Sequence, residues 1–144
     1  MKNKILQLLT IIATFVIAIV KMLDDTDKII LHWDFWGNIT RYGSKYYIIF
    51  LPVISLILYV LFHYYERNPY KMIQISKIEM TSDNTKLLSR YIGVVASLVL
   101  LILLYVTICS AQITKLQPLS VIAVLFILVG YYIYTNIKLR RNRV

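Results

Sequence analysis

Four stretches of the chain carry no Asp, Glu, Lys or Arg: residues 5–20, 46–65, 91–114 and 116–137, of 16, 20, 24 and 22 residues. A helix needs about 20 apolar residues to cross the ~30 Å hydrocarbon core of a bilayer. The last three runs meet that length. The first meets it if the Lys21 stem runs along the helix with its ammonium at the interface, which carries the run to Leu23. Every backbone amide in hydrocarbon needs a partner, so helices are the natural form. The pattern predicts an all-α membrane protein in one integral domain, 1–144. Its spans lie at about 5–23, 46–65, 91–113 and 116–137, with an outer loop at 24–45 and an inner loop at 66–90.

The outer loop has a different rhythm. Ile29, Leu31, Trp33 and Phe35 alternate with Lys28, Ile30, His32, Asp34 and Trp36, the period of a strand. Gly37-Asn38 suits a two-residue turn of type II′. That turn would set Trp36 opposite Ile39, Asp34 opposite Arg41, Trp33 opposite Tyr42 and His32 opposite Gly43. The charge pair and the aromatic pair are favourable cross-strand partners. An isolated hairpin is marginal in water, so its apolar face is expected on the outer leaflet or the mouth of the bundle. Elsewhere, Asn68-Pro69 marks a turn after the second span. Ser82-Asp83-Asn84 offers helix caps before the third span, and Gln117-Pro118 turns the third span into an antiparallel fourth. Pro52 is expected to kink the second span.

Composition agrees. Hydrophobic residues make up 59% of the chain, and mean hydropathy is +0.68. The net charge of +9 would suggest nucleic acid in a soluble chain. Here the cations sit at the ends of apolar runs, so membrane topology accounts for them and no nucleic-acid partner is expected. Eleven of the 16 Lys and Arg fall at the N-terminus, in 66–90 and at the C-terminus. Cytoplasmic segments carry such an excess, so those three regions are expected inside. Tyrosines such as Tyr46, Tyr65, Tyr91 and Tyr132 cluster near the span ends as an interfacial belt. The first run has the basic start of a signal peptide, but Ile19-Val20-Lys21 follows Ala18 without a small, polar neck, so it is expected to stay as a span. The one cysteine, Cys109, allows no intramolecular disulfide.

Candidate chemistry centres on the outer loop. His32 and Asp34 would share a strand face and invite a metal or acid–base role. Zinc wants at least three protein ligands, and His63, the other histidine, lies at the far end of the second span. His32 is therefore expected as a hydrogen-bonded structural or recognition residue, with no metal or cofactor. Trp33, Phe35 and Trp36 can anchor at an interface or form an aromatic recognition surface. The spans hold no full charge, which argues against an ion-coupled pump. Thr10, Thr14, Ser55, Ser97, Thr107 and Ser110 are expected to serve helix packing. No Gly-x-Ser-x-Gly, His-Glu-x-x-His or P-loop pattern occurs, and no enzyme is expected.

The strings His32-Trp33-Asp34-Phe35-Trp36-Gly37 and Tyr42-Gly43-Ser44-Lys45, followed by Pro52 and Asn68-Pro69, resemble a small bacterial membrane family of unknown function. That family also forms the N-terminal part of SdpI-type immunity proteins. The resemblance covers roughly residues 24–70. It departs at Ile30, where the family has proline, at Asp34, where it has asparagine, and at Asn38-Ile39-Thr40, which lacks an acid. Full SdpI-type proteins carry a further C-terminal membrane region with a Gly-Ile-Arg-Thr-Pro-like motif, and that motif has no counterpart in these residues. The resemblance implies a protein of the bacterial cytoplasmic membrane whose outer loop engages a secreted amphipathic peptide, in immunity or in signalling. The expected ligand contacts are His32, Trp33, Asp34, Trp36, Gly37, Tyr42 and Lys45, with Gly43, Pro52, Asn68 and Pro69 shaping the backbone. The alternative expectation is a scaffold subunit, with a membrane-protein partner or a second copy against the bundle.

Overall fold

The computed structural model describes residues 2–72 and 80–141. Residues 73–79, part of the expected inner loop with its Lys77, and residues 142–144 with Arg143 lie outside the described residues. The order is α1 (Lys2–Leu23), β1 (Lys28–Trp33), β2 (Ile39–Ser44), a 3-10 turn (Lys45–Ile49), α2 (Phe50–Arg67), the short α3 (Pro69–Met72), α4 (Ser82–Ser110) and α5 (Pro118–Arg141). Four helical segments are long and apolar enough to cross a membrane: Asn3–Leu23, Lys45–Arg67, Ser82–Ser110 and Pro118–Arg141. A two-stranded antiparallel hairpin joins the first two.

The helices are apolar on the outside and partly polar within. On α1, Gln7, Thr10, Thr14, Ala18 and Lys21 are buried at helical spacing, while Ile5, Leu9, Ile12, Val16 and Ile19 face outward. On α2 the buried residues are Pro52 and Ser55, and Val53, Ile54, Ile57 and Val60 are exposed. Water would favour the reverse. Helices in lipid gain nothing by hiding leucine from leucine, so small and polar residues take the contacts between them. The expected packing role of the span hydroxyls follows this rule: Thr10, Thr14, Ser55, Ser97, Thr107 and Ser110 are all buried.

α4 is the hub, with α1, α2 and α5 each packed against it. Its small residues Gly93, Ala96 and Ser97 admit α1 closely. Gln7 Nε2 donates to Gly93 O and to Ser97 Oγ, both at 3.0 Å. This bridge was invisible in a pattern that scored only full charges. Among the described residues, α5 packs chiefly on α4 and is otherwise outward-facing.

Two local expectations change. α4 is capped by Thr81, whose side chain accepts from Asn84 N at 3.2 Å, not by Ser82, Asp83 or Asn84. Pro52 lies at the third residue of α2, directly after the 3-10 turn, near a helix start where a missing N–H is tolerated. α4 stops at Ser110, short of the expected 113. Gln112 takes φ 66°, Gln112 N reaches Cys109 O and Ile113 N reaches Ile108 O, closing the helix end. As expected, Asn68 ends α2 and Pro69 opens the next turn.

Candidate functional site

Asp34 builds the hairpin turn. Its Oδ1 accepts from Trp36 N at 2.9 Å and Asn38 N at 2.8 Å, and its Oδ2 accepts from Asn38 Nδ2 at 2.8 Å. The Asn38 side-chain bond, joined by backbone N–H groups, holds its carboxyl below the ordinary carboxylate range. Gly37 N donates to Asp34 O, and Asp34 N to Asn38 O. Gly37 has φ 84°. The turn is thus a three-residue loop, Phe35-Trp36-Gly37, with glycine in the left-handed position. The expected two-residue II′ turn at Gly37-Asn38 is replaced because Asp34 satisfies the loop's own amides.

The register changes with it. Ile29 pairs with Gly43, Ile30 with Tyr42, His32 with Arg41 and Trp33 with Ile39. None of the four expected pairs forms. Two irregularities flank His32, leaving Leu31 and Thr40 unpaired. Thr40 fills the gap: its Oγ1 lies 2.5 Å from His32 Nδ1 and donates to His32 O at 3.3 Å. Leu31 folds over Gly43, where a Cβ would collide with Leu31 Cδ1. Ile29 and Ile30 lie in the regular part of the ladder and are both buried, so both faces of the hairpin are covered at its base.

The base of the hairpin is fastened to the bundle. Ile29 packs with Ala18, Ile48 and Ala111. Ser110 Oγ donates to Ile30 O at 2.9 Å, and Gln112 Nε2 to Lys28 O at 2.8 Å. The second bond explains a glutamine at a left-handed helix end that glycine usually occupies. Lys45 Nζ donates to Asp24 O at 2.6 Å and lies 4.0 Å from Asp27 Oδ1. Lys45 is therefore engaged at the base rather than offered at the tip. Lys21 Nζ donates to Asp24 Oδ2 at 3.1 Å and Thr26 Oγ1 at 2.5 Å. The Thr26 hydroxyl and then Lys21 lower the Asp24 pKa.

The tip is open. Phe35 is 73% and Trp36 78% exposed, and their rings meet edge to face at 5.3 Å. Gly37 abuts the α4–α5 connection, where a built Cβ would lie 3.0 Å from Leu116 O and from Pro118. His32 and Tyr42 are exposed, and Trp33 is half-buried. Beside the base runs a groove of 410 Å³ walled by Val16, Ile17, Val20, Leu23, Ala111 and Ile113, with Lys21 and Asp24 at its polar edge. A shallower hollow of 560 Å³ is lined by Thr26, Asp27, Lys28, Tyr42 and Gln112. His63 stands near the other end of α2, its Nδ1 3.7 Å from Glu66 Oε2 and its ring stacked on Tyr59. Among the described residues, no three His, Cys, Asp or Glu side chains come together as a metal site.

Residues 9–56 match the model of a domain of unknown function, DUF1648. The matched stretch runs from α1 through the whole hairpin into α2, about a third of the chain. It begins earlier than the motif resemblance, within α1, and ends before Asn68-Pro69. The hairpin and the two helices that frame it are thus the part of this chain that is similar to that domain. No curated protein and no solved structure matches the chain.

Proposed function

We propose that this is a non-enzymatic, multi-pass protein of the bacterial cytoplasmic membrane whose outer hairpin engages a secreted amphipathic peptide, in immunity or sensing. The observation that carries the reading is the open Phe35–Trp36 pair at the tip of a hairpin whose base is fastened to the bundle. An exposed aromatic pair on a rigid mount loses little freedom on binding, and tryptophan is enriched at binding hot spots. The 410 Å³ groove offers an apolar wall to a peptide's hydrophobic face. The outward-facing apolar residues of the four helices support the membrane placement. The distribution of Lys and Arg supports cytoplasmic termini, with the hairpin outside. The motif likeness to the N-terminal part of SdpI-type proteins supports the immunity reading.

The test is a deletion strain challenged with secreted peptides from a producing strain. It is compared with strains restored with wild type, His32→Ala, Trp36→Ala or Gly37→Ala at matched membrane levels. Protection by wild type and failure of all three variants is the expected result. Normal protection by the variants, or none by wild type, overturns the reading. A second reading, a scaffold subunit of a transporter or complex, is favoured by α5, whose outward face offers room for a membrane partner. A stoichiometric partner in a mild-detergent pull-down would support it.

A further inference from the structure

Far from the hairpin, α4 and α5 part around a crevice of 320 Å³ lined by Asp83, Lys86, Leu87, Arg90 and Lys138. That size is at the lower end of ligand pockets. Lys86 and Arg90 are four residues apart, on one face of α4. Lys138 comes from the last turn of α5. Three cations thus meet one carboxylate, and among the described residues none of the three is in an ion pair. α4 has 29 residues, or ~44 Å at helical rise, against ~30 Å of hydrocarbon, so its first turns stand at headgroup level.

The neighbouring side chains mark that level. Tyr91 stacks on Tyr131 at 5.5 Å, and Tyr131 on Tyr134 at 6.3 Å. Lys138 Nζ lies 5.9 Å from the Tyr134 ring centre. Tyrosines gather where hydrocarbon gives way to water. Along the rest of α5, Phe126, Val129 and Ile133 face outward. Cations that only set orientation need no common crevice. Arg140 and Arg141 fit that role: both are exposed and neither lines it.

We propose that the crevice binds the phosphate headgroup of an anionic phospholipid, whose acyl chains lie along the seam of α4 and α5. Basic hollows between membrane helices recognise such headgroups by charge. The inference rests on the membrane placement proposed above and is independent of what the hairpin binds.

The test is native mass spectrometry of the full chain in mild detergent, with phosphatidylglycerol or phosphatidylcholine of the same acyl chains, and with glycerol 3-phosphate as competitor. Phosphatidylglycerol should be preferred. Lys86→Gln, Arg90→Gln and Lys138→Gln should each lower the preference about fivefold. Asp83→Asn should raise it by a similar factor, a gain that misfolding cannot imitate. Lys115→Gln, at the other end of the molecule, should leave it unchanged. The proposal is overturned by an absent preference, by an equal loss in Lys115→Gln, or by glycerol 3-phosphate competing as well as the lipid. Failure of the membrane placement shows separately, as chain recovered in the soluble fraction without detergent.

Discussion

Ile29 and Trp36 belong to one hairpin, seven residues apart, and differ in almost every physical respect. Ile29 is 1% exposed and packs with residues of α1, the 3-10 turn and the end of α4. Trp36 is 78% exposed, and its ring meets that of its neighbour Phe35 edge to face. The base takes its position from burial and from the Ser110 and Gln112 hydrogen bonds. The tip takes its shape from local chemistry, the Asp34 carboxylate and a left-handed Gly37. A two-stranded hairpin would be marginal alone. Here the bundle supplies the order, and the aromatic tip is left available at no cost to the fold.

Substitutions at the base should therefore disturb the whole hairpin. Ile29→Ala has the largest expected effect, about 2–5 kcal/mol, from lost burial and an unfilled cavity. Hydrogen exchange should show both strands losing protection while α4 and α5 keep theirs. Loss confined to residue 29 would break the comparison. Gly37→Ala comes next, at roughly 1–2 kcal/mol for a left-handed alanine, before its clash with Leu116 and Pro118 is counted. Asparagine tolerates that conformation better but also carries a Cβ. Gly37→Asn should match alanine in thermal unfolding if contact dominates, and be milder if φ dominates. Ser110→Ala, which removes one bond to the base, should cost about 1 kcal/mol.

The same division explains what the sequence disclosed. The spans were legible because charge-free runs of membrane length are a long-range signal. The hairpin was legible as an alternating segment, but its register was not. Alternation implies that every residue takes its turn on one face, and the bulge at Leu31 and Thr40 breaks that rule. Nothing in the string His32-Trp33-Asp34 announces that Thr40 will answer His32. The turn departs from the Gly37-Asn38 pair signal because Asp34 closes on Asn38, a contact across the loop. Lys45, a ligand contact that the resemblance implies, donates to Asp24 O, a partner 21 residues away that no local pattern displays. Gln7 is one polar residue in an apolar run, and its meaning depends on Gly93 and Ser97. The Asp34 turn did leave a trace: Asp followed four residues later by Asn, with Gly between them, is the spacing of a capped three-residue loop.

Acid offers a gentler way to act on the tip. The Asp34 carboxyl is held below its ordinary value chiefly by the Asn38 side chain. A carboxylate with a depressed folded pKa stabilises the fold above its unfolded value, about 3.9, and that contribution is lost as the pH falls through the folded value. The turn should be firm at neutral pH and loosen only in acid. The amide signals of Trp36 and Asn38 should move together in that range, and Asp34→Asn should abolish the transition. A transition that persists in Asp34→Asn would overturn this assignment.

The smallest expected effect on stability is at the tip itself, and it separates the two regions most sharply. Phe35→Ala and Trp36→Ala remove side chains that bury little against the bundle, and exposed substitutions of this kind stay within about 0.5 kcal/mol. Thermal unfolding and strand exchange should match wild type. On the proposed function, protection against the secreted peptide should nevertheless fall to the level of the deletion strain with Trp36→Ala, because that reading gives the ring's contacts to the peptide. Ile29→Ala should fail in both assays. If Trp36→Ala lowers stability as Ile29→Ala does, the tip is a structural element and the open aromatic pair has been misread. If it leaves both stability and protection intact, the tip is an interfacial anchor, and recognition must be sought in the groove beside Lys21 and Asp24.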